Sequence, residues 1–441
     1  MGFGGAESAA PWGKATRGTK EGRYLIALAH GGDNEKRFAI THWLTMGFGG
    51  AESAAPWGSR TSGFCPIFSA LPVARNSAIT PRMKQADREF LFHLLETPSP
   101  TGFEMPGQRV WADYLKPHAA EVTCDAYGST WATLPGKSNR IVMLEAHADE
   151  IGYMIKHIDD KGFLRLDRAG GSDAATARGR RLTFFGDKGP VTGIIGNTAI
   201  HLRRDDLGTE KAPAVHDLWV DVGASNPAEV AALGLRVGHP AVYQDGPLEL
   251  AHKRLVGRAL DNRIGGYIIA QVLKRLAAAR KKPAFTLVCL NAIQEEIGGH
   301  GAMMATYRIQ PDICICLDVT HATDTPGLDL AKTGSVKLGG GPSLTHGTAN
   351  HPAVVKRLID TAATGKIPVQ HEASSRFTGT DTDKIFTSRQ GVPSALVSLP
   401  LRCMHSVVET AHLDDIAHTI DLLAAFVLSL TEKDRFHQSL S

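Results

Sequence analysis

Apolar residues recur at helical spacing over Ala86–Leu95, where Phe90, Leu91, Leu94 and Leu95 share one stripe before the break at Thr97-Pro98-Ser99-Pro100. Ile141–Ala146 is instead a short unbroken apolar run leading into His147, which predicts a buried strand. Beyond Ile155 the texture changes. Short β-like pieces at Phe163–Leu166, Leu182–Phe185, Val191–Ile195, Thr198–Leu202 and Leu218–Val222 alternate with Gly-rich turns, as in a compact β-rich module. Asn226-Pro227 signals a short helix over Ala228–Leu233.

From Val256 onward long periodic segments return. Arg258–Ala279 predicts a helix with Ile264, Ile268, Ile269, Val272, Leu273 and Leu276 on one side. Phe285–Ile293, Ile313–Val319 and Ala395–Leu399 read as strands, and Ala353–Ala363 and Leu413–Thr431 as helices. Strands alternating with helices imply an α/β fold: a mostly parallel sheet sandwiched by helices, interrupted by a small β-rich insert. The expected organisation is a catalytic domain from residues 83–155 and 250–435, with the insert at 156–249. Residues 1–82 read as an extension rich in Gly, Ala, Ser and Pro, with little clear period. It contains a perfect repeat, MGFGGAESAAPWG, at 1–13 and 46–58, too short and too few for a solenoid. Met46 and Met83 are alternative starts.

Composition adds mainly exclusions. Apolar residues make up 43% and charged residues 21%, as in an ordinary globular chain, and the net charge is only +3. Basic charge is nowhere concentrated, so neither a nucleic-acid nor a membrane partner is expected. No apolar run reaches the roughly 18 residues of a membrane span. The six cysteines are sparse, and three of them, Cys289, Cys314 and Cys316, lie in strand-like runs. They read as buried thiols in a reducing compartment, and the expected location is cytoplasmic.

Acidic and imidazole residues sit at the ends of the predicted strands, where ligands bind in open α/β sheets. His147-Ala148-Asp149 follows the first central strand, and a carboxylate two residues on can orient a ligand imidazole. Asp261 opens the long helix, where taken alone it reads first as an N-cap. Glu295-Glu296 ends an apolar strand before Gly298-Gly299; adjacent carboxylates there repel and lose hydration unless a cation compensates. Asp318 interrupts an apolar run, and His405 stands between the last strand and the last helix. Together two His, two Asp and two Glu suit two divalent ions with N and O donors, zinc or a cobalt-like ion. Asp381, in Gly-Thr-Asp-Thr-Asp, reads either as a plain turn residue or as one that places the substrate backbone.

In this order the motifs resemble those of the glutamyl and tetrahedral (TET-type) aminopeptidases, co-catalytic metallopeptidases whose members have sometimes been labelled endoglucanases. The likeness extends from Asp87 to Leu430 and includes Ser99-Pro100-Thr101-Gly102-Phe103-Glu104, Lys337–Pro342 and Gly379-Thr380-Asp381. The resemblance implies that His147 and Asp318 bind one ion and Glu296 and His405 the other, with Asp261 bridging. It further implies Glu295 as general base and Asp149 as the orienter of His147. The β-rich insert would serve dimer contacts, the particle would be a homo-oligomer up to a dodecamer, and the substrate would be a peptide. Other readings remain open on the residues alone: a dinuclear amidohydrolase or deacylase acting on a non-peptide amide, a glycosidase, or a non-catalytic assembly protein.

Overall fold

The computed structural model describes residues 83–202, 211–438 and 440; the repeated segments and the rest of the 1–82 extension lie outside them. The helix Gln85–Glu96 buries Phe90, Leu91, Leu94 and Leu95, the stripe its periodicity predicts. Fully burying one such side chain contributes about 1.5–3 kcal/mol. The helix stops at Thr97 because Pro98 can neither donate the next backbone hydrogen bond nor fit the helical ring.

The main sheet has eight strands. Its centre, in the order Thr286–Ala292, Ile141–His147, Ile313–His321 and Ser394–Leu401, is parallel. Outside it, Thr130–Leu134 runs antiparallel to both Thr286–Ala292 and Glu121–Cys124, and Ser343–His346 runs antiparallel to Ser394–Leu401. Only the edge strand Gln370–Ala373 restores a parallel pairing. The sheet is therefore mixed, with a parallel centre. Those central strands are buried along nearly their whole length, as strands covered on both faces must be. On one face Leu260–Ala277 packs against Ile141–His147 and against Leu413–Ser429. On the other, Ala302 and Ala305 of the helix His300–Ile309 pack with Met143, Leu290, Cys314 and Cys316.

Six strands, in the order Gly152–Ile158, Leu164–Ala169, Trp219–Asp221, Gly189–Ile195, Arg181–Gly186 and Pro240–Tyr243, close into a barrel inserted into this α/β frame. Its interior holds Tyr153, Leu166, Phe184, Val220 and Tyr243. The hydroxyls of Tyr153 and Tyr243 meet there at 2.7 Å, so neither is left unpaired in an apolar core. Thr198–Leu202 does not form the expected strand; it ends in the 3₁₀ turn Ile200–Leu202. The barrel closes by pairing Gly189–Ile195 directly with Trp219–Asp221, which leaves no free edge for a further strand.

A second departure matters more for the site. The predicted helix begins irregularly at Leu260, with Asp261 and Asn262 outside helical φ/ψ. Asn262 Oδ1 accepts the N–H of Gly265 at 3.1 Å, so Asn262 supplies the N-terminal cap and the Asp261 carboxylate is free to point elsewhere.

Three helices are tied together by a polar triad. Asp87 accepts from Lys274 Nζ at 2.6 Å and from the Tyr114 hydroxyl at 2.8 Å, beneath the stacked rings of Phe90 and Tyr114. Burial pushes the Asp87 pKa up, but Lys274 and Tyr114 outweigh it and the net shift is downward. A carboxylate whose pKa falls on folding stabilises above its unfolded pKa of about 3.9 and loses that contribution as pH drops through the folded value. Asp87→Asn should therefore cost about 1–2 kcal/mol in urea melts at pH 7, by loss of charge-assisted hydrogen bonds. The deficit should stay constant down to about pH 5 and shrink only below about pH 4; a deficit that faded between pH 7 and pH 5 would contradict the assignment.

Among the described residues no helix is long and apolar enough to cross a membrane. Cys289, Cys314 and Cys316 are free and buried, whereas Cys124 and Cys403 are free and exposed.

Candidate active site

Parallel register brings the chemistry to one level. Ala292 pairs with His147, and Cys316 with Glu145, so Asp318 lies alongside His147 at the carboxyl ends of the central strands. Thr286–Ala292 continues into the Glu295-Glu296 turn, and Ser394–Leu401 into the loop that carries His405. The turn is built on left-handed backbone, with φ of 56° at Gln294 and 70° at Gly299. Asp149 holds it in place: one carboxylate oxygen accepts the N–H of Glu295 at 3.1 Å and the other accepts that of Glu296 at 3.2 Å. The Thr101 hydroxyl donates to the same carboxylate at 3.0 Å.

All six residues of the predicted constellation come together. His147 Nε2 lies 3.1 Å from Asp261 Oδ1, 3.7 Å from Asp318 Oδ1 and 3.9 Å from Glu295 Oε2. His405 Nε2 lies 3.4 Å from Asp261 Oδ2 and 3.5 Å from Glu296 Oε1. The two oxygens of Asp261 thus face different histidines. Two sets of donor atoms result, His147–Asp261–Asp318 and Asp261–Glu296–His405, each with all its atoms within 4.8 Å of one another. Glu295 belongs to neither set. His147 Nδ1 is 3.2 Å from the Asp149 carbonyl oxygen and 3.4 Å from Asp149 Oδ1, so Asp149 serves both that ring and the Glu295-Glu296 turn.

Asp261, Glu295, Glu296, Asp318 and His405 open onto a cavity of about 420 Å³, walled also by Gly171, Val319, Thr320, His321, Thr378, Gly379, Thr380 and Met404, with His147 buried behind them. Asp381 does not line it. Its carboxyl is buried behind the wall near Glu145, so any influence on substrate passes through Thr378–Thr380. The barrel contributes to the wall as well. At Gly171 a Cβ atom would stand 2.4 Å from His405 Nδ1, and at Gly170, where φ is 72°, it would stand 3.0 Å from Glu296.

The electrostatics show a surplus of carboxylates. Burial pushes Glu295 up to about 10 and Glu296 up to about 8, and raises Asp318. Burial opposes the protonated form of His147, yet Asp149, Asp261 and Asp318 together hold its pKa well above the usual value. Asp261 raises His405 to about 9. Among the described residues no Lys or Arg lines the cavity to balance this charge. Convergent carboxylates and imidazoles without a resident cation fit bound divalent metal in both charge and donor type.

Two further acids were given no site role from the sequence, although Glu104 closes the Ser99–Glu104 motif of the resemblance. Glu104 accepts the N–H groups of Gly102 at 2.7 Å and Gln294 at 3.3 Å. Glu409 accepts from Asp261 and His405. Each is a lone acid beside apolar residues, Phe103 and Met105 in one case and Val407-Val408 in the other, with no period of its own, and its burial is what sets it apart.

Comparison with known proteins places the chain among the peptide hydrolases. The M42 glutamyl aminopeptidases match residues 128–422, and the chain belongs to that family. It is 34% identical to a lysyl aminopeptidase of Pyrococcus furiosus over 79% of its own length and 99% of the relative's. Among solved structures, an aminopeptidase of the archaeon Desulfurococcus kamchatkensis superposes with a TM-score of 0.73 at 32% identity, covering 78% of this chain and 95% of that one. The TET1 peptidase of Pyrococcus horikoshii, described as assembling into a tetrahedron or a large octahedral shell, aligns at 0.69 and 27% identity over 78% of this chain and all of its own.

Proposed function

We propose that this aminopeptidase works with two divalent ions, zinc or cobalt, held by His147 and Asp318 on one side and Glu296 and His405 on the other, with Asp261 shared. The observation that carries the reading is the division of Asp261, one oxygen toward each histidine. Such ions, when bound, acidify a water toward neutrality and act as Lewis acids on a carbonyl.

The chain's own residues do the rest. Glu295, outside both donor sets but beside them, takes a proton from the attacking water and delivers it to the leaving amine. Asp149 fixes the His147 ring from behind and pins the backbone that presents Glu295. The cavity wall holds the peptide with its scissile bond over these groups and limits access of bulk water. A free α-amine is an additional donor for the centre and an internal peptide bond lacks one, which makes the cleavage proceed from the N-terminus. The β-rich insert, expected at 156–249 and seen as the barrel whose strands run from Gly152 to Tyr243, is assigned to dimer contacts, and dimers to a larger closed particle of up to twelve chains, in the cytoplasm.

The reading is tested by elemental analysis of the purified protein together with a panel of aminoacyl substrates before and after chelation. Hydrolysis should disappear with chelator and return with zinc or cobalt, and N-acetylated peptides should resist. Chelator-insensitive activity, or cleavage of blocked peptides at the same rate, would overturn it.

A further inference from the structure

His147 and Asp318 are held by the central strands of the sheet, but Asp261 and His405 are not. Asp261 lies in a first turn without helical φ/ψ, and His405 sits in a loop with φ of 61°, a left-handed conformation unfavourable for a residue with a side chain. Neither segment has a regular ladder at that point to keep it in place. What both have is Glu409. Its Oε2 accepts the N–H of Asp261 at 3.1 Å, and its Oε1 accepts the N–H of His405 at 2.8 Å.

The short sheet beside the site explains why this acid is there. Arg254–Gly257 pairs antiparallel with Glu409–His412, in a register that sets Gly257 opposite Glu409. The strand that leads into Asp261 therefore carries Glu409 alongside it, four residues beyond His405. The carboxylate is buried, with 1% of the residue exposed, and does not line the cavity. It touches no atom of the donor sets directly. It touches the backbone of two residues that supply them, as Asp149 touches the backbone of Glu296.

We infer that Glu409 is a positioning residue that sets the spacing of Asp261 and His405, and so tunes the Asp261–Glu296–His405 set in preference to the set anchored on the strands. The inference rests on the two-ion reading above. A carboxylate has an acceptor for each N–H, whereas the isosteric amide of Glu409→Gln must turn its NH₂ toward one of them. Glu409→Asp keeps both acceptors but is one methylene too short to reach both segments. Each change breaks the span without touching a ligand.

The test titrates zinc and, separately, cobalt into metal-stripped full-length protein, with bound metal counted by elemental analysis after equilibrium dialysis. Unaltered protein should take up two ions. In Glu409→Gln the ion of the Asp261–Glu296–His405 set, which loses the support of two of its ligands, should bind roughly 10–100-fold more weakly, the range for loss of an outer partner of a metal ligand, and the ion that keeps His147 and Asp318 on the strands should be weakened clearly less. Glu409→Asp should show the same split, and it decides the matter if the glutamine variant fails to fold. Two ions bound at unaltered affinity in both variants would overturn the inference alone, and so would equal weakening of both ions, which marks a general structural role. Fewer than two ions in the unaltered protein would sink the two-ion reading, and this inference with it.

Discussion

Glu295→Gln is expected to keep both ions and to lose about 10²–10⁴-fold in kcat, the contribution typical of a placed general base. The glutamine has the shape of the glutamate but cannot accept and return a proton. Because Glu295 is in neither donor set, the metal content should not change. Its place is fixed through its backbone, whose N–H reaches Asp149, so the substitution leaves the support of the turn intact. Single-turnover assays with a chromogenic aminoacyl substrate, run beside elemental analysis, separate the two effects. A variant within about tenfold of the unaltered rate would take Glu295 out of its role.

Asp261→Ala should do more. It removes one donor from each set at once, so the content should fall below two ions per chain and hydrolysis should drop by on the order of 10³-fold or more, equivalent to several kcal/mol of lost transition-state stabilisation. Asp318→Ala is the informative control, since Asp318 belongs to one set only. Full double occupancy in the Asp261 variant would contradict a shared ligand. The substitution is structurally mild for the helix behind it, because Asn262 and not Asp261 supplies the cap.

That cap shows where sequence reasoning met its limit. An aspartate at a helix start is a good N-cap by residue type, and only the three-dimensional path of Leu260–Asn262 shows that its neighbour takes the task. The central strands were legible because burial on both faces writes itself as unbroken apolar runs, and Ile141–Ala146 and Ile313–Val319 are such runs. The antiparallel flanks were not, because Glu121–Cys124 and Thr130–Leu134 are short and only partly buried. His147, Glu295, Glu296 and Asp318 stood out as polar residues at or within apolar strands. Glu104 and Glu409 did not, since they act on backbone N–H groups brought near by tertiary folding, a contact with no spacing rule in one dimension. The exposed Ile200-His201-Leu202 turn had the alternation of a strand but no open edge to join.

The barrel looks like a removable cassette, entered after Glu150 and left before Arg254, and a designer would be tempted to exchange it for another to change the assembly. Gly170 and Gly171 argue against treating the exchange as neutral. They form the shoulder against which Glu296 and His405 rest, so a donor cassette with any side chain at the second position would intrude on the imidazole. Whatever module occupies that slot must therefore bring a bare stretch of backbone to the mouth of the cleft, because the turn that closes it is also part of the wall around Glu296 and His405.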